Sequence, residues 1–162
     1  MWVKLHITLQ GAAAMKIQAL SALFFLLIAT NEAKIWEKCE LATKMKNEGL
    51  DGFQGYPLAD WICMAYHESK YDTSVVGSAN TDGSLNFGIF QIGSRYWCQH
   101  EKLPSANACN KPCSSFTNDD ITDDIECAKR IVQDPQKMDA WVGWLKNCKG
   151  KDLSEWTRDC NM

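Results

Sequence analysis

The sequence predicts an α+β fold in which four short helices accompany one small antiparallel hairpin. In four segments the apolar residues recur every third or fourth position, whereas between Val75 and Ile92 they alternate with other residues. Eight cysteines follow an N-terminal apolar run, and an even number in a small chain without CxxC pairs indicates a disulfide framework. Spacing alone leaves about 105 possible pairings. The length of 162 residues suits one domain with a sizeable core.

Residues 1–33 differ from the rest of the chain. Lys16 precedes the apolar run ALSALFFLLIA at residues 19–29, which is too short to span a bilayer. We therefore expect a signal peptide at 1–33 and a secreted domain at 34–162. A membrane anchor is the alternative interpretation, and Met15 is a second candidate start.

The charge of the secreted domain is negative. Setting residues 1–33 aside removes Lys4, Lys16 and Glu32, which leaves 15 basic and 19 acidic residues, a net charge of −4. An acidic surface repels nucleic acid and anionic lipid over about 8 Å at physiological salt. We expect a monomer that binds no nucleic acid and no membrane once the signal peptide is removed.

Two helices are predicted before the hairpin. The first runs from Glu37 to Glu48, where apolar residues recur every third position and Gly49 supplies a stop. The second begins at Pro57, because proline is tolerated at the first helical position, and ends between Glu68 and Lys70. Glu68 therefore lies in a last helical turn, where the helix dipole disfavours an anion and raises the pKa of this carboxyl.

The hairpin and two further helices follow. Asn80-Thr81-Asp82-Gly83 has the composition of a turn, and Leu85, Phe87 and Ile89 alternate with Asn86, Gly88 and Phe90 after it. The stretch from Cys98 to Asn118 is predicted to be a loop. The third helix begins near Ile121, with Ile125, Ala128, Ile131 and Val132 on one face. The fourth is predicted from Lys137 to Cys148, with the apolar stripe Met138, Trp141, Trp144 and Leu145.

Glu68 and the hairpin together suggest glycoside chemistry. Hydrolysis of a glycosidic bond uses an acid that stays protonated near neutral pH, and an anion that attacks or stabilises the sugar cation. Glu68 fits the first role, because burial would add to the rise in its pKa. Where the anion is expected, on the hairpin, the chain has Asn86. The alternative is an exposed glutamate without a role.

An acidic segment, Asn118 to Asp124, also has two interpretations. Carboxylates at the start of the third helix interact favourably with its dipole, by a few tenths to about 1 kcal/mol. However, four aspartates within six residues repel each other unless a cation neutralises them. Calcium binds six to eight oxygens from carboxylates and carbonyls. The segment is therefore also a candidate calcium site.

Several motifs resemble the animal C-type lysozyme and α-lactalbumin family, over residues 34–162. They are the order of the eight cysteines, CNKPCSSF at 109–116, FGIFQI at 87–92, YWC at 96–98, Asp120-Ile121, Cys127 and MDAW at 138–141. The resemblance implies a helical lobe and a small antiparallel β lobe with a glycan cleft between them. It also implies four disulfides, namely Cys39–Cys160, Cys63–Cys148, Cys98–Cys113 and Cys109–Cys127.

The resemblance assigns roles to individual residues. Glu68 corresponds to the general acid, and lysozyme is the type case of such an acid with a raised pKa. Trp141 corresponds to the residue that packs beside the acid. The positions that contact sugar in the family correspond to Gln91, Tyr96, Trp97 and Asp134.

The resemblance is closest to calcium-binding lysozymes. Asp123 and Asp124 correspond to carboxylate ligands of calcium, and Ser115 and Asp120 correspond to carbonyl ligands. A further carboxylate of the family is replaced by Asn118, whose neutral amide should lower the affinity.

Departures from the family pattern lead to two predictions of function. Asn86 replaces the second carboxylate, and Gly93 occupies a position where active members usually have a supporting asparagine. We expect hydrolysis or binding of β-1,4-linked amino-sugar glycans, such as peptidoglycan or chitooligosaccharides, with weakened catalysis. The alternative is a non-catalytic glycan-binding protein or an α-lactalbumin-like modifier of a glycosyltransferase, because His67 and Tyr71-Asp72-Thr73 resemble α-lactalbumin. Many antibacterial members are basic, and this chain is acidic.

Overall fold

Short helices and a small antiparallel sheet make up the fold, as predicted. The computed structural model describes residues 33–162, so the predicted signal peptide lies outside the described residues, apart from Ala33. The helices and strands in chain order are α1 (Lys38–Asn47), α2 (Leu58–Ser69), β1 (Asn86–Phe87), β2 (Ile92–Gly93), α3 (Thr122–Ile131) and α4 (Val142–Asn147). Short 3-10 turns lie at Phe53–Gly55, Cys113–Phe116, Lys137–Ala140 and Ser154–Trp156.

Helix α1 ends where the glycine signal predicts. Gly49 has a φ of 75°, which is strained for residues with a side chain, and its amide donates to the carbonyl of Lys46. The amide of Leu50 donates to the carbonyl of Met45. These two bonds form a Schellman motif, which satisfies carbonyls left free at the helix end.

Helix α2 carries the candidate acid. Its start is held by Asp51, whose Oδ1 accepts a hydrogen bond from the amide of Leu58 at 3.0 Å. Its apolar face is buried in the core, including Trp61 and Ile62. The helix ends at Ser69, so Glu68 lies in the last turn, as predicted.

The sheet is shorter than the alternation of residues predicts. Strand β1 pairs with β2, with Asn86 opposite Gly93, and Val76 forms an isolated bridge to Phe87 on the other side of β1. The expected turn at 80–83 is present. Beyond Phe87 the prediction of a strand is wrong, because the chain turns and buries both Ile89 and Phe90.

The predicted fourth helix is interrupted at Trp141. Residues 137–140 form a 3-10 turn, and Trp141 is extended, with φ −99° and ψ 111°, before α4 begins at Val142. The side chain of Trp141 donates a hydrogen bond of 2.7 Å to the carbonyl of Phe90, which fixes it against the sheet. The apolar stripe predicted the burial of Trp144, but Leu145 is exposed.

Four disulfides join the elements, and all four pairs agree with the pairing that the family resemblance implies. They are Cys39–Cys160, Cys63–Cys148, Cys98–Cys113 and Cys109–Cys127. The last two hold the long loop between the sheet and α3. Together with main-chain hydrogen bonds such as those between Gln99 and both Lys111 and Cys113, these bridges fix the path of the loop.

One core extends from the helices to the sheet and packs both against each other. Within residues 33–162, we find no helix with the length and apolar character needed to cross a bilayer. The largest fully buried side chains include Trp61, Phe90, Phe116, Leu41, Met45 and Leu50.

Candidate functional site

Glu68 is half-buried at the end of α2 and lies in the wall of a cleft. Burial raises the pKa of this carboxyl, as predicted, because the anion loses contact with water. The main-chain amide of Gly143 donates a hydrogen bond of 2.7 Å to Oε1, which opposes part of that rise. The net direction is upward, so Glu68 holds a proton to higher pH than an exposed glutamate.

Gly143 lets the carboxylate come close to the main chain. A Cβ placed on Gly143 would lie 2.6 Å from Oε1 of Glu68, which is closer than atoms tolerate. Gly143 is the second residue of α4, and the first amides of a helix have no acceptor inside it. The interruption at Trp141 therefore leaves the Gly143 amide free to bind the acid.

The sheet places Asn86 in the lining of the same cleft as Glu68. Its main-chain carbonyl accepts a hydrogen bond from the amide of Gly77. Its side-chain Oδ1 lies close to Gly93 on β2, since a Cβ there would be 3.1 Å away. A neutral amide thus lies where the second carboxylate was expected.

Gln91 fixes the turn that follows Asn86. Its side-chain amide donates to the carbonyls of Val75 and Gly88, at 3.0 and 2.9 Å. Gln91 also lines the cleft, so it can both hold the sheet and meet a ligand.

The remaining predicted sugar contacts lie along the cleft. Tyr96 and Trp97 line it beside Glu68 and also line its continuation, where Asp134 lies. Tyr96 is 55% exposed, so its ring is available to pack on a sugar face. Oδ1 of Asp134 pairs with Arg130 at 2.6 Å, which holds the carboxylate at the cleft edge.

Trp141 lies in the cleft wall together with Glu68 but is only 4% exposed. Its ring meets Trp61 edge-on, with centroids 6.3 Å apart. Trp141 therefore supplies an apolar, rigid wall, and such a wall helps to desolvate a neighbouring carboxyl.

Asp82 is a second carboxylate in this cleft, but it is fully engaged. Hydrogen bonds from the Ser84 hydroxyl and amide, and then from Arg95, lower the pKa of Asp82 to about 2. Arg95 also forms an ion pair with it. Asp82 is thus an anion committed to the turn, as its position in the sequence suggested.

The predicted calcium ligands lie between the Cys113–Phe116 turn, which contains Ser115, and the first turn of α3, which contains Asp123 and Asp124. The side chain of Asn118 donates to the carbonyl of Ser115 at 3.1 Å and accepts from the amide of Asp120 at 2.9 Å. Oδ1 of Asp123 pairs with Lys111 at 2.6 Å. The carboxylate of Asp124 is fully buried.

The surroundings of the Asp124 carboxylate indicate whether this loop is suited to bind a cation. Within residues 33–162, neither of its carboxylate oxygens has a hydrogen-bond partner. Burial raises the pKa of this carboxyl well above its usual value. An unpaired buried carboxylate is costly, and a bound cation is one way to offset the cost. The loop therefore fits a hard cation such as calcium.

Asp124 also packs closely against Gly88, which follows strand β1. A Cβ placed on Gly88 would lie 3.0 Å from Oδ1 of Asp124 and only 1.8 Å from the carbonyl oxygen of Phe116. Only glycine fits there, with a φ of 73°. The acidic loop thus packs against the segment that follows Asn86.

Sequence reasoning missed two features of the cleft and one of the acidic segment. The Gly143 amide carries no side-chain signal, and its availability depends on the unexpected break before α4. Arg95 was not singled out from the sequence, yet it forms an ion pair with Asp82 in the cleft wall. Lys111 lies outside the acidic segment and gave no hint that it contacts Asp123.

Comparison with known proteins identifies relatives over nearly the whole described region. A model of the C-type lysozyme/alpha-lactalbumin family matches residues 34–160. The chain is 54% identical over 129 residues to dog (Canis lupus familiaris) lysozyme C, milk isozyme, which covers 80% of this chain and all of that protein. It is 50% identical over 129 residues to lysozyme C of Equus asinus, with the same coverage.

Solved structures agree with these matches. The apo-type canine milk lysozyme superimposes with a TM-score of 0.78, at 54% identity, and covers 80% of this chain and 100% of its own. A structure of lysozyme from Equus asinus gives a TM-score of 0.77 at 50% identity, with the same coverage.

Proposed function

Because the chain belongs to the C-type lysozyme/alpha-lactalbumin family, we propose that it hydrolyses β-1,4-linked amino-sugar glycans, at a rate limited by Asn86. The observation that carries this proposal is the position of Glu68 in the cleft wall, with a raised pKa. A carboxyl that stays protonated near neutral pH can donate its proton to the oxygen of a scissile glycosidic bond.

The weak step is stabilisation of the sugar cation. A carboxylate about 4 Å from that cation would stabilise it by about 4 kcal/mol at an effective dielectric near 20. Each 1.36 kcal/mol changes the rate about tenfold, so its loss slows hydrolysis on the order of a thousandfold. Asn86 carries no charge, and Asp82 is held by Ser84 and Arg95.

Binding of the glycan does not depend on the missing carboxylate. Aromatic rings pack well on the apolar faces of sugars, and Tyr96 and Trp97 lie along the cleft with Asp134 at its edge. We infer that chitooligosaccharides bind through these three residues. Their contact with the substrate is independent of the groups that carry the chemistry.

Calcium is the proposed cofactor, with a structural role. The carboxylates of Asp123 and Asp124, the side chain of Asn118 and the carbonyls of Ser115 and Asp120 would hold it. A bound calcium ion would neutralise the loop and stabilise the folded state. The unpaired buried carboxylate of Asp124 supports this proposal.

The setting of the activity is also proposed. The apolar run at residues 19–29 supports secretion after removal of residues 1–33, and four disulfides suit an oxidising compartment. We propose that residues 34–162 act as a monomer outside the cell.

A non-catalytic binding protein is the second candidate. The uncharged Asn86 favours it, as does an aromatic cluster outside the described lining of the cleft. There the rings of Tyr66 and Trp156 lie 5.2 Å apart, and His67 lies 5.8 Å from Trp156. Such a surface could meet a protein partner, as an α-lactalbumin-like modifier of a glycosyltransferase would.

Turnover of a soluble chitooligosaccharide and of bacterial cell wall by residues 34–162 tests the two candidates. Slow hydrolysis that Glu68→Gln abolishes, and that the exposed control Glu155→Gln leaves unchanged, supports the enzyme. Binding without turnover in the wild type supports the second candidate. Equal rates for wild type and Glu68→Gln contradict the assignment of Glu68 as the acid.

A further inference from the structure

A lysine from the preceding loop contacts the acidic segment 118–124. The ammonium of Lys111 lies 2.6 Å from Oδ1 of Asp123, one of the carboxylates proposed to bind calcium. The two side chains are similarly exposed, at 35% and 34%, so the pair lies at the edge of the loop and not in its interior. A lysine here carries out part of the neutralisation that a metal ion would otherwise supply.

The position of Lys111 is fixed by its own backbone. Its amide donates to Oδ1 of Asn107 at 3.1 Å, and its carbonyl accepts from the amide of Gln99 at 2.9 Å. The disulfide Cys109–Cys127 holds this stretch against α3, which carries Asp123 in its first turn. The ammonium is therefore delivered to Asp123 by an anchored segment, so little main-chain order must be gained to form the pair.

Asp124 lies next to Asp123 in sequence but is neutralised in no such way. It is fully buried, and neither of its oxygens has a partner among residues 33–162. The lysine reaches only the outer carboxylate, so the buried carboxyl of Asp124 remains without a partner. This unpaired group is what still favours a bound cation.

Asn118 is a second group of the protein that occupies a proposed calcium ligand. Its amide nitrogen donates to the carbonyl of Ser115 at 3.1 Å, so a donor from the chain meets an oxygen that calcium would use. Two of the proposed ligand groups are thus already satisfied from within the protein, by Lys111 and Asn118.

We propose that Lys111 competes with calcium for Asp123 and thereby sets the calcium affinity of this loop. The inference rests on the calcium site proposed above. To bind the ion, Asp123 must release the ammonium, or the ion must bind close to a second positive charge. Either route weakens binding, by an amount that we expect to be about tenfold in Kd.

Calorimetric titration with calcium chloride tests the inference on metal-free residues 34–162. Lys111→Met should lower Kd about tenfold, because the competing charge is gone. Lys111→Arg should keep the wild-type Kd within about twofold, because the charge remains. Lys149→Met is the matched control, since Lys149 also pairs with a carboxylate, Asp139 at 2.8 Å, in a different part of the fold.

Thermal unfolding gives a second readout, because the substitution should lower Tm in chelator but enlarge the rise in Tm that calcium causes. In chelator, Lys111→Met should melt below the wild type, because Asp123 loses its partner. In millimolar calcium, the same variant should show a larger increase in Tm than the wild type. A lysine with a merely structural role would lower both melting temperatures equally.

The outcomes separate this inference from the calcium proposal. Equal Kd values for wild type and Lys111→Met, with clear binding in both, overturn the role of Lys111 and leave the calcium site in place. Binding by Lys111→Met alone supports the competition strongly. If neither protein binds calcium, both the inference and the calcium proposal are wrong.

Discussion

The amide of Gly143 donates a 2.7 Å hydrogen bond to Oε1 of Glu68, across 75 residues of sequence. The bond exists because Trp141 is extended and α4 restarts at Val142, so the Gly143 amide has no acceptor within its own helix. A Cβ on Gly143 would lie 2.6 Å from the same oxygen, so a larger residue there would require the carboxylate to shift. The present orientation of the candidate acid therefore depends on the small size of residue 143.

Gly143→Ala should raise the pKa of Glu68 further. The new Cβ displaces the carboxylate from the amide, and a hydrogen bond that favours the anion is lost. Titration of the glutamate carboxyl carbons by NMR would measure the change. Leu145→Ala, on the exposed side of the same helix, is the control and should leave the pKa unaltered. The same pKa in Gly143→Ala and wild type would show that the amide does not hold the acid in solution.

Glu68→Gln should stabilise the protein at neutral pH but not in acid. Burial raises the pKa of Glu68 above its ordinary value of 4.5, so the folded state binds this proton more tightly than the unfolded state. The stabilisation from that proton is complete below pH 4.5 and declines as the pH rises through the folded pKa. Glutamine cannot lose a proton, so it avoids this decline.

The test is the difference in Tm between Glu68→Gln and wild type from pH 3 to pH 8. We expect a difference near zero at pH 3 that becomes positive toward pH 7. A constant difference over the whole range would mean that burial of Glu68 does not perturb its ionisation.

Asn86→Asp should raise turnover of a soluble chitooligosaccharide at least tenfold. The new carboxylate restores charge near the sugar cation, where the estimated gain is on the order of a thousandfold if its geometry is ideal. Oligosaccharide affinity should stay nearly constant, because Tyr96, Trp97 and Asp134 are unchanged. Steady-state kinetics and direct binding measurements would separate the two effects.

Gly93→Asn should add to the effect of Asn86→Asp by supporting the new carboxylate. A Cβ on residue 93 would lie 3.1 Å from Oδ1 of Asn86, and we expect a similar distance to a carboxylate at position 86. The strands must therefore shift slightly to admit the asparagine. Wild-type turnover equal to that of Asn86→Asp would show that the carboxylate is dispensable in this cleft.

Asp124→Asn should remove both the free-energy cost of the buried carboxyl and the proposed binding of calcium. In chelator the variant should melt at a higher temperature than wild type near neutral pH, because a buried carboxyl without a partner is replaced by a neutral amide. Added calcium should no longer raise its Tm. In the wild type the ion should contribute about 2.7 kcal/mol at a hundredfold excess over Kd.

Asn118→Asp provides the opposite change in the same loop. It adds a charged ligand and removes the donor to Ser115, so the calcium-dependent rise in Tm should become larger than in wild type. If wild-type Tm is the same in chelator and in millimolar calcium, the proposed site is not used.

Local sequence signals predicted the elements whose structure depends on near neighbours. Gly49 ended α1 through its left-handed backbone, and the spacing of apolar residues located α2 and α3 within a residue or two. The pKa of Glu68 was expected to rise because of its helix end. The structure gives the same direction, with burial as the leading cause.

Features that depend on distant contacts could not be predicted in this way. Trp141 interrupts a helical pattern because its ring nitrogen bonds the carbonyl of Phe90, 51 residues earlier. The strand beyond Phe87 was predicted from alternation, but both Ile89 and Phe90 are buried in the core. The Lys111 contact joins two segments that the Cys109–Cys127 disulfide also links.

The two disulfides of the long loop form overlapping rings. One closes residues 98–113 and the other closes residues 109–127, so the stretch from Cys109 to Cys113, with Lys111 inside it, belongs to both. A ring of about 15 residues restricts the unfolded chain by about 3 kcal/mol in the loop-entropy model. Position 111 is consequently held in place whichever side chain it carries. Substitutions at position 111 should therefore change the calcium affinity proposed for the acidic segment while leaving the covalent restraint on its neighbouring main chain in place.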